Sequence, residues 1–233
     1  MKAMQTEILD IDYTPYVSLT GTAHFTRRSL IEAFKTVKET EPKNVAVELD
    51  PRRFMILNQQ SIVGHDFQWC EFIGAAEALG NVDANIWLID MTEKEIRARI
   101  SRLMTPAEAF RRPVLYDEYG GIDEVRLWEA GYKEMVIERC MKRLEALRAT
   151  KPSVWQVLIE DRNTLMAARL AWIASKMVDS KDDPRILAFV GAAHVAGIEK
   201  LLQNADLIRK NLMEYDVPFR PPTLVRRVGV VAA

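Results

Sequence analysis

The side chains that most often carry out chemistry are scarce in this chain. It has three histidines and two cysteines in 233 residues. The cysteines, Cys70 and Cys140, lie far apart and inside expected helices. No disulfide framework is expected, and free thiols in a reducing compartment are. Excess charge is also missing: 32 Lys and Arg against 33 Asp and Glu give a formal net charge of -1. No global field then draws nucleic acid or an anionic membrane surface, and the pairs Arg27-Arg28 and Arg226-Arg227 read as solvated faces. No apolar run reaches the roughly 20 residues of a membrane span, so no transmembrane segment is expected. The opening MKAMQTEILDID lacks the apolar segment of a signal peptide. The expected location is cytoplasmic, or the soluble part of a longer membrane-associated chain. The apolar ending VGVVAA fits either a natural end or the cut edge of a longer chain. What remains is 48% apolar and 28% charged, an ordinary globular balance.

That balance and the length suit one large domain or a domain with an insertion. Tyr16 to Leu19 reads as a strand, closed at Gly21. A helix from about Thr26, a plausible N-cap, to Glu41 follows, with Leu30, Ile31, Phe34 and Val37 as its apolar stripe. Asn44 to Leu49 is a second strand, and the three elements make a βαβ unit. Helical patterns follow from Pro51 and over Asp66 to Leu79, then a strand over Ala84 to Ile89. Thr92-x-x-Glu95 is a capping box for the next helix. Residues 105–150 are charged and helical, broken at Pro106, Pro113 and Gly120-Gly121, and read as a helical insertion or lid. Ser153-x-x-Gln156 predicts a second capping box and a long helix to about Met177. Arg185 to Val190 is a strand, and residues 216–233 form an extended tail with an edge strand at Leu224 to Val231. The expected fold class is α/β: a central mixed or parallel sheet flanked by helices, in a single domain over residues 1–233.

Two of the three histidines sit in the same context. Gly21-Thr22-Ala23-His24 and Gly191-Ala192-Ala193-His194 each leave an expected strand and enter a helix. Glycine allows a close backbone approach there, a helix start favours anions, and strand exits are where open α/β sheets place ligands. Between them comes VAVELD, residues 45–50, with Glu48 inside an otherwise apolar strand. From this motif alone a buried functional carboxylate and a solvent-facing strand-end acid fit equally well. If the strand ends converge, His24, Glu48 and His194 form a two-histidine, one-carboxylate set suited to a divalent transition metal with open positions. In the long helix Asp161 falls on the apolar stripe and Arg162 on its shoulder, so each needs a different partner. His65 reads as a capping or surface residue, and Glu71 equally as a solvated face or a supporting acid.

The segments GTAH, VELDPRR, LIEDRNTLMA and VGAAHVAGI, in this order, resemble the TraB family, which includes the PrgY, GumN and TIKI proteins. The resemblance runs from about residue 16 to 228. It implies an α/β fold. The TIKI branch adds metal-dependent peptidase activity with manganese or cobalt, needing two histidines and a glutamate that correspond to His24, His194 and Glu48. Arg53 corresponds to the arginine after VELD, and Asp161-Arg162 to the acid–arginine pair of the long helix. Relatives often carry Ile-Asp-Arg where this chain has Ile89-Asp90-Met91, so any role of that arginine is missing here.

The expected function is a divalent-metal-dependent hydrolase, a peptidase acting on a peptide or small-molecule substrate. His24, Glu48 and His194 would surround manganese or cobalt. Arg162 would stabilise an oxyanion, and Asp161 would orient it or act as base. Gly21, Gly191 and Arg53 complete the expected binding residues, and a homo-oligomer is compatible. The alternative is a non-catalytic regulatory protein that binds a peptide or cofactor in the same cleft.

Overall fold

A computed structural model of the protein describes residues 8–24, 26–63, 71–80, 84–111 and 124–225. Four strands, β1 (Val17–Thr22), β2 (Asn44–Val47), β3 (Asn85–Leu88) and β4 (Ile186–Gly191), run parallel. The short β5 (Thr223–Val225) pairs antiparallel with β3, and the order across the sheet is β1-β4-β2-β3-β5. The α/β expectation of one mixed sheet flanked by helices is therefore met. The first βαβ unit joins β1 and β2 through α1 (Arg27–Thr40) but leaves a gap that β4, from far along the chain, fills. The gap makes the two Gly-x-x-His strands direct neighbours, with Thr22 opposite Gly191.

Both faces of this sheet are buried, as a parallel sheet requires. β4 is buried at all six positions, and its alternate residues face opposite sides. Ala188 and Val190 join Ala46 and Trp87 against α9 (Arg162–Ser180), α10 (Val195–Leu202) and α11 (Ala205–Glu214). Leu187 and Phe189 join Val45, Val47, Ile86 and Leu88 against α1 and α3 (Glu71–Leu79). The result is a three-layer arrangement with two cores. α1 is capped as expected: Thr26 accepts from the Ser29 N–H. The Thr92–Glu95 capping box of α4 (Glu93–Leu103) forms in full.

The second expected capping box does not form. Pro152 opens the short α8 (Pro152–Trp155), and the preceding Lys151 makes no side-chain cap. The Ser153 hydroxyl instead donates to the Leu103 carbonyl and to Glu108, in α5 (Pro106–Phe110). Gln156–Asp161 then form a π-helical turn before α9, a feature that often accompanies functional sites. α2 spans Pro51–Val63. His65, Cys70, most of the tail strand and the glycines at 120–121 lie outside the described residues. Among the described residues no helix is long and apolar enough to cross a membrane.

Within 105–150 the described helices, besides α5, are α6 (Glu124–Ala130) and α7 (Lys133–Thr150). α6 is fastened to the start of α1. Glu129 accepts from the backbone N–H groups of Arg27 and Arg28, where the unpaired amides of a helix start favour an acid. Trp128, almost fully buried, donates its indole N–H to Ser29. These contacts hold α6 and α7 over the carboxyl end of the sheet.

Candidate active site

Just past the carboxyl end of each parallel strand stands one polar side chain of the site: His24 after β1, His194 after β4, Glu48 after β2 and Asp90 after β3. Glu48 is 3% exposed and its carboxylate is fully engaged. One oxygen, Oε2, accepts the Gly191 N–H at 2.5 Å. The other, Oε1, lies 3.4 Å from His24 Nε2 and 3.7 Å from His194 Nε2. The same oxygen accepts from Arg162 Nη2. Burial alone would raise the carboxyl's pKa, but His24, His194 and Arg162 hold it well below the usual carboxylate range.

Each imidazole is fixed from behind. His24 Nδ1 lies 2.6 Å from Glu71 Oε1, and His194 Nδ1 lies 2.6 Å from Asn163 Oδ1. Arg162 Nη1 approaches His194 Nε2 at 3.2 Å. Since a guanidinium can only donate, His194 Nε2 accepts and its Nδ1–H donates to Asn163. His194 is thus neutral, and burial pushes its pKa down. His24 differs. Burial would push it down, yet hydrogen bonds to Glu48 and Glu71 hold it up at about 10.

Arg162 ties the set to β3. Its Nε and Nη2 grip the two oxygens of Asp90 at 2.9 Å each, a bidentate pair. Asp90 also accepts from Arg53, whose Nε reaches Asp50 at 2.6 Å. Two glycines make this geometry possible. A Cβ on Gly191 would lie 3.1 Å from His24 Nε2 and 3.3 Å from Glu48 Oε2. A Cβ on Gly197 would collide with the Asn163 amide at 2.2 Å.

The cluster opens into a cavity of about 340 Å³. His24, Glu48, Arg162, Gly191 and His194 form one wall, and Val125, Trp128, Val136, Ile137 and Cys140 from α6 and α7 contribute to the other.

His24, Glu48, His194 and Arg162 therefore come together. Asp161 does not join them. It is fully buried and paired with Arg99 at 2.6 Å, while Arg99 also holds the Tyr215 and Asp216 carbonyls. The physical reason is the helix itself: adjacent residues point about 100° apart, so with Arg162 in the cleft Asp161 faces α4. A base or orienting role at the cleft is incompatible with that position. Arg53 sits behind the cluster, engaged by Asp50 and Asp90, and not on the cavity wall. Gly21 packs against Ala192 and Val195 between the two turns, while Gly191 lies on the wall. Two supporting residues escaped the sequence reading, Asn163 and Asp90. Glu71, left open there, is buried and serves His24.

The donor set suits a divalent cation in one respect. Both imidazoles carry an acceptor on Nδ1, which leaves Nε2 of each directed at one carboxylate oxygen, the support that metal-binding histidines ordinarily have. Among the described residues no group of three or more His, Cys, Asp or Glu side chains is already disposed as a cation cage. Arg162 sits on the same Glu48 oxygen, so a cation there requires the guanidinium to withdraw onto Asp90 and His24 Nε2 to give up its proton, since only a deprotonated imidazole nitrogen ligates.

Residues 118–207 match the TraB/PrgY/gumN family model. That stretch includes Arg162 and His194 but not His24 or Glu48. An uncharacterized protein of Methanocaldococcus jannaschii is 26% identical over 223 residues, covering 82% of this chain. The alignment covers 54% of that protein, so the chain spans about half the length of the curated relative it matches. No solved structure matches.

Proposed function

We propose, from the TraB/PrgY/gumN match over residues 118–207 and from the strand-end cluster, that the chain is a divalent-metal-dependent hydrolase acting on peptide bonds. The observation that carries this reading is the pair of back-supported imidazoles aimed at a single Glu48 oxygen. His24, Glu48 and His194 would hold the ion, manganese or cobalt by the resemblance. A bound ion would polarise a carbonyl and lower the pKa of water.

The chain's own residues supply the rest. Asp90 keeps Arg162 oriented, and the guanidinium, relieved of Glu48, can donate to the oxygen that gains charge during acyl transfer. Glu71 and Asn163 keep the ring nitrogens in register. α6 and α7 face the cluster across the cavity.

Arg162 also favours a second reading. It closes the cluster into a charge-paired set without any further cation. That suits a regulatory protein that binds a peptide or cofactor without turnover.

Metal analysis of the purified protein, followed by a peptide-library cleavage screen with manganese or cobalt, separates the two. The hydrolase reading predicts bound metal and cleavage that His24→Ala and His194→Ala each abolish while circular dichroism stays native. Full activity in both folded variants contradicts it. Ligand binding unaffected by chelator, with no cleavage, supports the regulatory reading.

A further inference from the structure

The cavity has two chemically different walls, and only one belongs to the cluster described above. The facing wall is apolar: Val125 and Trp128 from α6, Val136 and Ile137 from α7. Val125 is 51% exposed, although apolar and on the cavity lining. The wall is not a loose flap, because Glu129, Trp128 and Lys133 tie it to α1. Glu124 and Arg143 line the cavity on this same side and bind each other. They neutralise one another, so among the described residues of this wall the charge is already paired. At about 340 Å³ the space lies near the lower end of small-ligand sites, about 300–1,000 Å³, and suits a short chain segment.

We infer that the α6–α7 wall is a specificity pocket for one apolar side chain of a peptide substrate, seated beside the bond that the strand-end cluster acts on. The inference rests on the peptidase reading for the reacting bond, but the pocket's preference for an apolar group can be measured without turnover. An aliphatic or aromatic side chain on this wall would leave water as a nonpolar solute does, while its backbone carbonyl turns toward His24, Arg162 and Gly191. A carboxylate or ammonium there would lose hydration without a partner.

The test uses short peptides varied at each position beside the cleaved bond, with the parent, Ile137→Asp and Ile137→Phe. Ile137 is only half-buried, so both substitutions are compatible with folding. The expected result is at least a ~10-fold preference in kcat/KM, within the range hydrophobic pockets reach, for leucine, methionine or phenylalanine over aspartate or lysine at one position. Ile137→Asp should erase that preference, and Ile137→Phe should shift it toward smaller side chains. Cleavage by the parent with no apolar preference at any position overturns the inference and leaves the hydrolase reading standing.

If nothing is cleaved, the hydrolase reading fails and the pocket is tested on its own. Cys140 lies on the same wall, so its alkylation, read by peptide mass spectrometry, reports occupancy. N-acetyl-leucinamide should slow alkylation at Cys140 and N-acetyl-aspartamide should not. Equal rates with both overturn the inference.

Discussion

The turn after β1, GTAH, and the turn after β4, GAAH, differ at one residue in four and leave neighbouring parallel strands at the same end of the sheet. Their histidines nevertheless sit in opposite electrostatic settings. His24 has a side chain 37% exposed, with a carboxylate behind it and another in front, and it is held as an imidazolium. His194 is 5% exposed, with a neutral amide behind it and a guanidinium in front, and it is held neutral. A motif fixes where a histidine stands. The residues brought to it by α3 and α9 fix its protonation state.

Both histidines meet Glu48, which Arg162 holds while gripped by Asp90, and removing that anchor should have the largest effect. Asp90→Asn takes a buried carboxylate from two guanidiniums, Arg53 and Arg162. Breaking a buried pair in this way costs about 3–5 kcal/mol. Chemical denaturation should show that loss, with both histidine environments disturbed in NMR spectra. A variant within about 1 kcal/mol of the parent, on the scale of an exposed pair, would mean that Asp90 does not anchor the cluster.

A smaller effect is expected from the support behind His194 alone. Asn163→Ala leaves the buried Nδ1–H without its acceptor, at a cost of about 1–3 kcal/mol. Loss of the second-layer support should also weaken divalent-ion binding about 10–100-fold. Calorimetric titration with manganese checks the second figure, and unchanged affinity would detach Asn163 from the site.

The smallest change in stability, and the sharpest test of the comparison, is Glu71→Gln, which keeps an acceptor but drops the charge behind His24. In chelator-treated protein the His24 pKa should fall from about 10 toward the ordinary histidine value. Because the folded value is raised, stability from the His24 charge is fully present below about 6.5 and lost as pH rises through about 10. In Glu71→Gln the loss should begin at lower pH. An NMR titration of the imidazole protons reads it directly, and an unmoved midpoint would break the contrast between the two turns.

The strand ends were legible because each carries a local signal: glycine and histidine at the ends of β1 and β4, and an acid closing the apolar run of β2, where the structure ends the strand at Val47, one residue before Glu48. Their adjacency was not, since only the insertion of β4 between β1 and β2 creates it, and no local pattern encodes strand order. Asp161 was misassigned although its place on the apolar stripe signalled burial. Its partner, Arg99, is 62 residues away on α4. Asn163 carried no signal, because an asparagine two residues into a helix is ordinary until Gly197 brings α10 close enough for His194 to meet it. The Thr92 and Thr26 caps were readable because caps are local. Ser153 was misread because Pro152 and the pull of Glu108 moved the helix start.

The claim that both histidines serve one cation is tested most directly by cobalt(II) titration of chelator-treated protein, followed by its visible absorption spectrum. The parent should bind one equivalent and develop ligand-field bands. His24→Ala and His194→Ala, each verified as folded, should both lose the bands and bind at least ~100-fold more weakly. Absence of binding by the parent, or retention of its spectrum and affinity in either variant, would contradict it.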